Sequence, residues 1–170
     1  KTFSTLKTTA MKTWIMMRHG KSSWELQVSD GDRPLNERGI NDAHRMGAFL
    51  ATKQLTIDAA YTSPANRAAH TGLIVLRELN LPFHKLTVSN MLYDFSGDDV
   101  LEFVRCLPDE QNTIITFGHN HACTALAHSL GGFDGNNIPT ASAVLFRFDV
   151  SLWSSITTGL AECFSPKMLA

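Results

Sequence analysis

The sequence predicts an α/β domain: a three-layer sandwich with a mainly parallel central sheet, helices on both faces and an antiparallel C-terminal edge strand. Three observations carry this. Short apolar runs alternate with stretches of helical spacing along the chain. The runs at residues 13–17 (TWIMM) and 113–117 (TIITF) are continuous rather than alternating, as in strands buried on both faces. No internal repeat, low-complexity tract or interdomain linker breaks the pattern, so one domain is expected.

Residues 13–17 are the first predicted strand. Residues 36–53 follow as a helix, because Ile40, Ala43, Met46, Gly47 and Leu50 recur at helical spacing. Asn36 suits the N-cap and Glu37 the first turn. Residues 56–62 are a second strand. Ser63 and Pro64 then read as an N-cap and a first helical residue, opening a helix that reaches Glu78 with Ala68, Leu73, Leu76 and Leu79 on its face. Residues 84–88 are a third strand and 98–107 a short helix. The β-branched run at 113–117 is a strand that Gly118 ends. Residues 119–130 are predicted helical, stopped by Gly131 and Gly132. Residues 142–148 (SAVLFRF) form a further strand, and 160–164 return beside it as the edge. Residues 21–35 make a long loop rich in Ser, Asp and Gly, and loops that long inside a compact domain are usually functional.

Composition narrows the function classes. Hydrophobic residues are 44% and charged residues 18% of the chain, and the formal net charge is -1. Bulk charge therefore draws the chain to neither nucleic acid nor membrane, and substrate electrostatics must be local. No apolar run approaches the ~20 residues of a membrane helix. Cys106, Cys123 and Cys163 are too few and too widely spaced for a disulfide framework, which points to a reducing compartment, the cytoplasm. Residues 1–24 lack any acidic residue and are rich in Ser, Thr and Lys, a composition shared with transit peptides. Strand-like sequence begins directly after Met11. Residues 1–11 are accordingly read as a flexible N-terminal extension or tag ahead of a domain at 12–170.

Open α/β sheets bind ligands beyond the carboxyl ends of their strands. After residues 13–17 come Arg18, His19 and Gly20; after 113–117 come Gly118, His119 and Asn120; after 56–62 comes the run from Ser63 to Arg67. Parallel strands would bring two histidines and two arginines to one edge. Arginine forks match phosphate oxygens bidentately and stay charged. Helix N-termini near Ser63 and His119 add N–H donors and positive dipole ends. A neutral imidazole attacks phosphorus in line while cationic neighbours offset the oxygen charge. The guanidinium groups supply that charge, so no metal and no cofactor is expected.

These residues resemble the histidine phosphatase superfamily, the phosphoglycerate mutase-like group. The matching pieces are Arg18-His19-Gly20, the run Ser63-Pro64-Ala65-Asn66-Arg67 with Thr71, and Gly118-His119. The likeness is greater to its SixA-like phosphohistidine phosphatase branch, through 18–24 (RHGKSSW), 32–39 (DRPLNERG), 118–121 (GHNH) and 165–167 (SPK). The resemblance runs in order from Lys12 to Lys167. It implies that His19 is the phosphorylated nucleophile, that Arg18 and Arg67 hold the phosphoryl group, and that His119 donates a hydrogen bond to it. In the family an acid often protonates the leaving group from a Leu-x-Glu segment. The nearest match here is Leu92-Tyr93-Asp94, which makes Asp94 the candidate acid; Asp32 is a weaker alternative. A phosphohistidine leaving group needs less such help than an alkoxide.

Plainer readings stand beside these. Arg67 in the first turn of a helix opposes the dipole, which favours a bound anion over a solvated charge. His119-x-His121 has the look of a metal pair, but no Asp follows closely to complete a site. His44, His70, His84 and His128 read as structural or exposed, with His128 packed in its alanine-rich helix. Asp98 and Asp99 read as turn and cap residues, Glu37 and Arg38 as a helix start, and Arg33 as either a substrate contact or a loop brace. Cysteine phosphatases need Cys-x5-Arg; six residues after the three cysteines stand Asn112, Ser129 and Leu169, so that class is excluded. No Walker loop or Gly-x-Gly-x-x-Gly occurs. The expected function is a phosphatase working through phospho-His19, on phosphohistidine carried by a protein. The alternatives are a phosphomonoesterase of small metabolites and a catalytically idle phosphoprotein-binding module.

Overall fold

The computed structural model describes residues 11–169. The expectation for residues 1–11 lies, Met11 apart, outside the described residues. Four strands run parallel: β1 (Lys12–Arg18), β2 (Ala59–Thr62), β3 (Leu86–Val88) and β4 (Thr113–Gly118). β5 (Ala143–Phe148) runs against β1, and β6 (Leu160–Phe164) pairs antiparallel with β5 at the C-terminal edge. The order across the sheet is β3-β2-β4-β1-β5-β6. Helices α1 (Glu37–Ala51) and α2 (Asn66–Glu78) cover one face; α3 (Asp98–Arg105) and α4 (Ala122–Gly131) cover the other. The predicted three-layer sandwich is the observed one.

Successive side chains of a strand point to opposite faces, so β1 feeds both cores. Ile15 and Met17 pack with Met46, Leu50, Val75 and Leu76 beneath α1 and α2. Trp14 and Met16 pack with Val100, Val104, Leu126 and Leu130 beneath α3 and α4. Each of these side chains is almost wholly buried, worth about 1.5–3 kcal/mol apiece in surface removed from water. The buried indole of Trp14 donates to Thr116 Oγ1 at 2.9 Å, which satisfies its one polar atom.

Register places the chemistry. β1 and β4 are neighbours with Arg18 opposite Gly118, so His19 and His119 leave the sheet side by side. β2 pairs with β4 with Thr62 opposite Phe117, so Ser63 leaves next to them. Backbone bonds from His19 N to Gly118 O (3.0 Å) and from Ser63 N to Phe117 O (3.0 Å) carry the pairing past the strand ends.

Several element ends differ from those predicted. β2 begins at Ala59 rather than residue 56, and β3 is only three residues, preceded by a short 3-10 turn at Phe83–Lys85. α2 begins at Asn66, not at Ser63–Pro64. Proline disfavours helical backbone in the residue before it, and the Ser63 hydroxyl is used in a local turn, accepting from Ala65 N at 3.2 Å. α4 begins at Ala122, so His119 is a loop residue. Asn120, one residue before the N-cap, reaches into the first turn of that helix, its Oδ1 accepting from Thr124 N at 3.3 Å and Thr124 Oγ1 at 2.6 Å. His128 is exposed on α4, stacked on Phe133, rather than packed inside. Asn36 does cap α1, accepting from Gly39 N at 2.8 Å, and Gly132 ends α4 in left-handed backbone at φ 66.

Candidate active site

His19 lies directly after β1 and is 8% exposed. Its Nδ1 is 2.6 Å from the Gly20 carbonyl, which only accepts, so Nδ1 carries the hydrogen. Its Nε2 accepts from Arg67 Nε at 3.2 Å and is therefore the bare nitrogen. Burial, first, and then the charges of Arg67, Arg18 and Arg33 push its pKa from 6.5 down to about 4, against the opposing effect of the Gly20 carbonyl. The ring is thus a neutral, oriented base whose unprotonated Nε2 has its lone pair engaged by Arg67 Nε.

The loop holding His19 is clamped from two sides. Gly20 N donates to Thr71 Oγ1 at 2.9 Å, while Thr71 Oγ1 donates to Arg67 O at 2.7 Å. Thr71 therefore ties α2 to the loop that carries His19. On the other side the backbones of Gly20 and Gly39 abut; a Cβ on Gly20 would stand 2.6 Å from Gly39 O. The glycine is needed for that close approach.

Arg67, second residue of α2, is 3% exposed and is the hub of the site. Besides His19, its guanidinium reaches His119 Nδ1 (3.4 Å), the Asp30 carbonyl (2.6 Å) and the Asp30 carboxylate (2.9 Å). His119 lies with its ring centroid 5.3 Å from that of His19. Its Nε2 is 2.8 Å from Ser63 Oγ. Burial, then the neighbouring His19 and Arg67, take its pKa down to about 3. With Nδ1 accepting from Arg67, the hydrogen of the neutral ring sits on Nε2 and is given to Ser63. Presenting an Nδ1–H to an oxyanion requires the other tautomer, with the Ser63 hydroxyl donating to Nε2; a hydroxyl serves either way.

Arg18 is partly buried. One terminal nitrogen donates to Ile138 O at 2.6 Å, and its Nε is buried without a hydrogen-bond partner. Arg33 is the loop brace of the two readings open for it. It donates to Ser23 O, Asp30 Oδ1 and Ser22 Oγ, and its guanidinium carbon lies 3.2 Å above the Trp24 ring centroid.

The Asp94 carboxylate is taken up by the turn that opens α3. Its carboxylate caps α3, accepting from the backbone N–H of Ser96, Gly97, Asp99 and Val100 and from the Ser96 hydroxyl, at 2.9–3.2 Å. Burial alone would raise its pKa; the Ser96, Val100 and Gly97 donors outweigh that and hold it below the usual carboxylate range. A carboxylate with this many donors keeps its charge, which weighs against a role as proton donor. Asp98 and Asp99 sit in the first turn of α3 as expected. Asp32 is on the surface, its carboxylate accepting from Ser29 Oγ at 2.9 Å. His121 occupies the N-cap position of α4 and is exposed. Among the described residues no group of three His, Cys, Asp or Glu side chains is arranged to hold a metal.

Two residues of the site had no signal in the sequence. Asp30, on the long loop, pairs with Arg67 and Arg33 and accepts from the Tyr93 hydroxyl. The Tyr93 hydrogen bond, foremost, with the arginines added, holds its carboxyl far below the ordinary value. Tyr93, one residue before Asp94, lies edge-on to His119 with centroids 5.1 Å apart.

A buried imidazole with an unprotonated Nε2, ringed by guanidinium groups and a second imidazole, is an arrangement chemically suited to a phosphoryl group. Comparison with known proteins agrees. The family described as the histidine phosphatase superfamily (branch 1) matches residues 14–88. An uncharacterized protein of Mycobacterium tuberculosis is 31% identical over 139 residues, 79% of this chain and 82% of that one. A 2,3-bisphosphoglycerate-dependent phosphoglycerate mutase of Azorhizobium caulinodans is 40% identical over 70 residues, 39% of this chain and 34% of the mutase. The structure of the protein histidine phosphatase SixA with tungstate matches with a TM-score of 0.78 at 24% identity, covering 93% of this chain and 99% of that one. A mycobacterial glucosyl-3-phosphoglycerate phosphatase matches with a TM-score of 0.63 at 15% identity, covering 91% and 97%. The chain is a phosphatase by class. It belongs to the histidine phosphatase superfamily, and its fold is that of the SixA-like branch.

Proposed function

We propose that the protein removes phosphoryl groups from phosphohistidine on a partner protein, through phospho-His19. The carrying observation is the state of His19: Nδ1–H given to Gly20 O and Nε2 bare beside Arg67. In the first step Nε2 attacks phosphorus as the bond to the substrate ring nitrogen breaks. The electron pair returns to the substrate ring, which leaves as neutral imidazole if its distal nitrogen carried the proton. No acid is then needed, consistent with the commitment of Asp94 to α3. Arg18 and Arg67 hold the phosphoryl oxygens, and His119 in its Nδ1–H form donates to one of them. In the second step water forms a P–O bond, the P–Nε2 pair returns to His19, and the water proton leaves with the phosphate. The Gly20 carbonyl stabilises the phosphorylated ring throughout by accepting from Nδ1–H.

Support for the substrate comes from the fold likeness to a protein histidine phosphatase. The three free thiols, one of them exposed, fit a reducing compartment and hence a cytoplasmic setting. A second reading, hydrolysis of small phosphate esters, draws on the likeness to glucosyl-3-phosphoglycerate phosphatase. Quenching the protein mixed with a radiolabelled phosphohistidine peptide in alkaline detergent, then separating protein from peptide, tests the mechanism. Label should be acid-labile, base-stable, absent from His19→Ala and reduced in His119→Ala. Label that survives in His19→Ala rejects it. A kcat/KM more than about tenfold higher for a sugar phosphate than for the peptide would move the assignment to the second reading.

A further inference from the structure

A cleft of about 160 Å³ is lined by Gly31 and Asp32 from the long loop, Pro64 and Ala65 from the turn before α2, and Tyr93, whose ring meets His119 edge-on. Each wall is tied to a phosphate-holding group. Ala65 N donates to Ser63 Oγ, which meets His119 Nε2. The Tyr93 ring rests on His119, and its hydroxyl donates to Asp30, which grips Arg67. Tyr93 is 36% exposed and Phe95, edge-on to it at 5.5 Å, is 46% exposed. Large aromatic rings left in water at the rim of a polar site are a binding surface in search of a flat partner.

We infer that this cleft seats the leaving group, and that it selects a planar, uncharged or cationic ring: the imidazole of the substrate phosphohistidine. The inference rests on the phosphohistidine reading above and assigns it a recognition site. Charge complementarity supports the choice of occupant. Among the described residues the one charged side chain lining the cleft is that of Asp32, and Asp30 adjoins it, while the arginines surround His19. A substrate with a second phosphate or a carboxylate near its phosphoryl group would meet like charge here. An imidazole instead offers a face to Tyr93, edges to Pro64 and Ala65, and its distal N–H to an acidic rim. Holding that N–H favours the protonated ring, which departs as neutral imidazole when the P–N bond breaks.

The test compares two phosphoramidates, phosphoimidazole, which carries the ring, and phosphoramidate itself, which does not. The readout is the ratio of their kcat/KM values. Tyr93→Ala should lower the ratio about tenfold, the size of a lost aromatic contact. Tyr93→Phe, which keeps the ring and loses the hydroxyl, should hold the ratio near that of the wild type. Tyr93→Leu guards against loss of folding in the alanine variant and should also lower the ratio. An unchanged ratio in Tyr93→Ala and Tyr93→Leu, with both rates falling together, overturns the inference alone. A wild-type enzyme that cleaves phosphomonoesters but neither phosphoramidate overturns the underlying reading and the inference with it.

Discussion

Arg67 and Asp30 are joined by two hydrogen bonds from one guanidinium, to the Asp30 carbonyl at 2.6 Å and to its carboxylate at 2.9 Å. The long loop thus closes over α2 through the residue best placed to hold a phosphate. The carboxylate occupies a guanidinium nitrogen that an incoming oxyanion would use, and it adds negative charge beside the pocket.

Replacing Asp30 by Asn therefore has a predictable sign. The backbone carbonyl contact stays and the competing charge goes. The Asp30 side chain is 46% exposed, so solvent screens the effect to about 0.5–1 kcal/mol. Inorganic phosphate or vanadate should inhibit Asp30→Asn about two- to fivefold more tightly than the wild type. Weaker inhibition would mean that the carboxylate's orienting effect on Arg67 outweighs its competition with the anion.

The protonation state of His19 makes a second prediction. Its ring stays neutral in the fold down to about 4, against 6.5 for a free ring. Between those values the unfolded chain binds a proton that the folded chain refuses, so stability falls as pH drops through that window. The loss from His19 alone is about 3 kcal/mol by pH 4. His119, held neutral to about 3, acts in the same direction. His19→Gln should therefore lose less stability between pH 7 and 4.5 than the wild type, measured by urea unfolding. Titration of the His19 ring protons by NMR should show a midpoint near 4; a midpoint near 6.5 would refute the assignment of a desolvated neutral ring.

Much of this site was legible because it hangs on strand ends. Two continuous apolar runs, each followed by a histidine, sufficed to bring His19 and His119 together once β1 and β4 paired in parallel. Arg67 was legible because a charge that opposes a helix dipole asks for an anion. Asp30 and Tyr93 were not, since each earns its place only through a contact across the fold, 63 residues from the other in sequence. Ser63 was read as a helix cap because Ser-Pro is a common opening; its hydroxyl instead meets His119, 56 residues away. Asp94 shows a different ambiguity. An acid after Leu-x and an acid before Gly-Asp-Asp look alike as letters, and only the direction of four backbone N–H groups separates catalyst from cap.

That separation is testable. A cap contributes stability and leaves chemistry alone, so Asp94→Ala should cost about 1–2 kcal/mol of folding free energy. Thermal unfolding should fall by several degrees, while kcat on a phosphoester with a poor leaving group stays within about threefold at a temperature where the variant is folded. A general acid in that position would instead contribute about 10²–10⁴-fold to kcat. A loss of that size without a change in unfolding temperature would restore Asp94 to the mechanism.

Ser63 offers the sharpest test of how His119 works. At rest the neutral His119 ring gives its hydrogen to Ser63 Oγ at 2.8 Å and its lone pair to Arg67 at 3.4 Å, so no N–H faces the position of a phosphoryl oxygen. For His119 to donate to the oxyanion its tautomer must change: Arg67 turns to the phosphate, Nδ1 takes up a proton from solvent, Nε2 releases its own to solvent, and Ser63 rotates its hydroxyl to donate to the bared Nε2. Ser63→Ala removes the donor that fixes this second tautomer. A single hydrogen bond is worth about 0.5–1.5 kcal/mol, so kcat should fall by up to about tenfold. Ser63→Thr, which retains the hydroxyl, should recover most of it where the added methyl fits. Phosphoenzyme trapped by rapid quench should form more slowly in Ser63→Ala while inhibition by phosphate changes little, because the arginines still hold the anion. If instead phosphate affinity collapses and the rate of phosphoryl transfer is kept, Ser63 braces the pocket wall and has no part in setting the tautomer of His119.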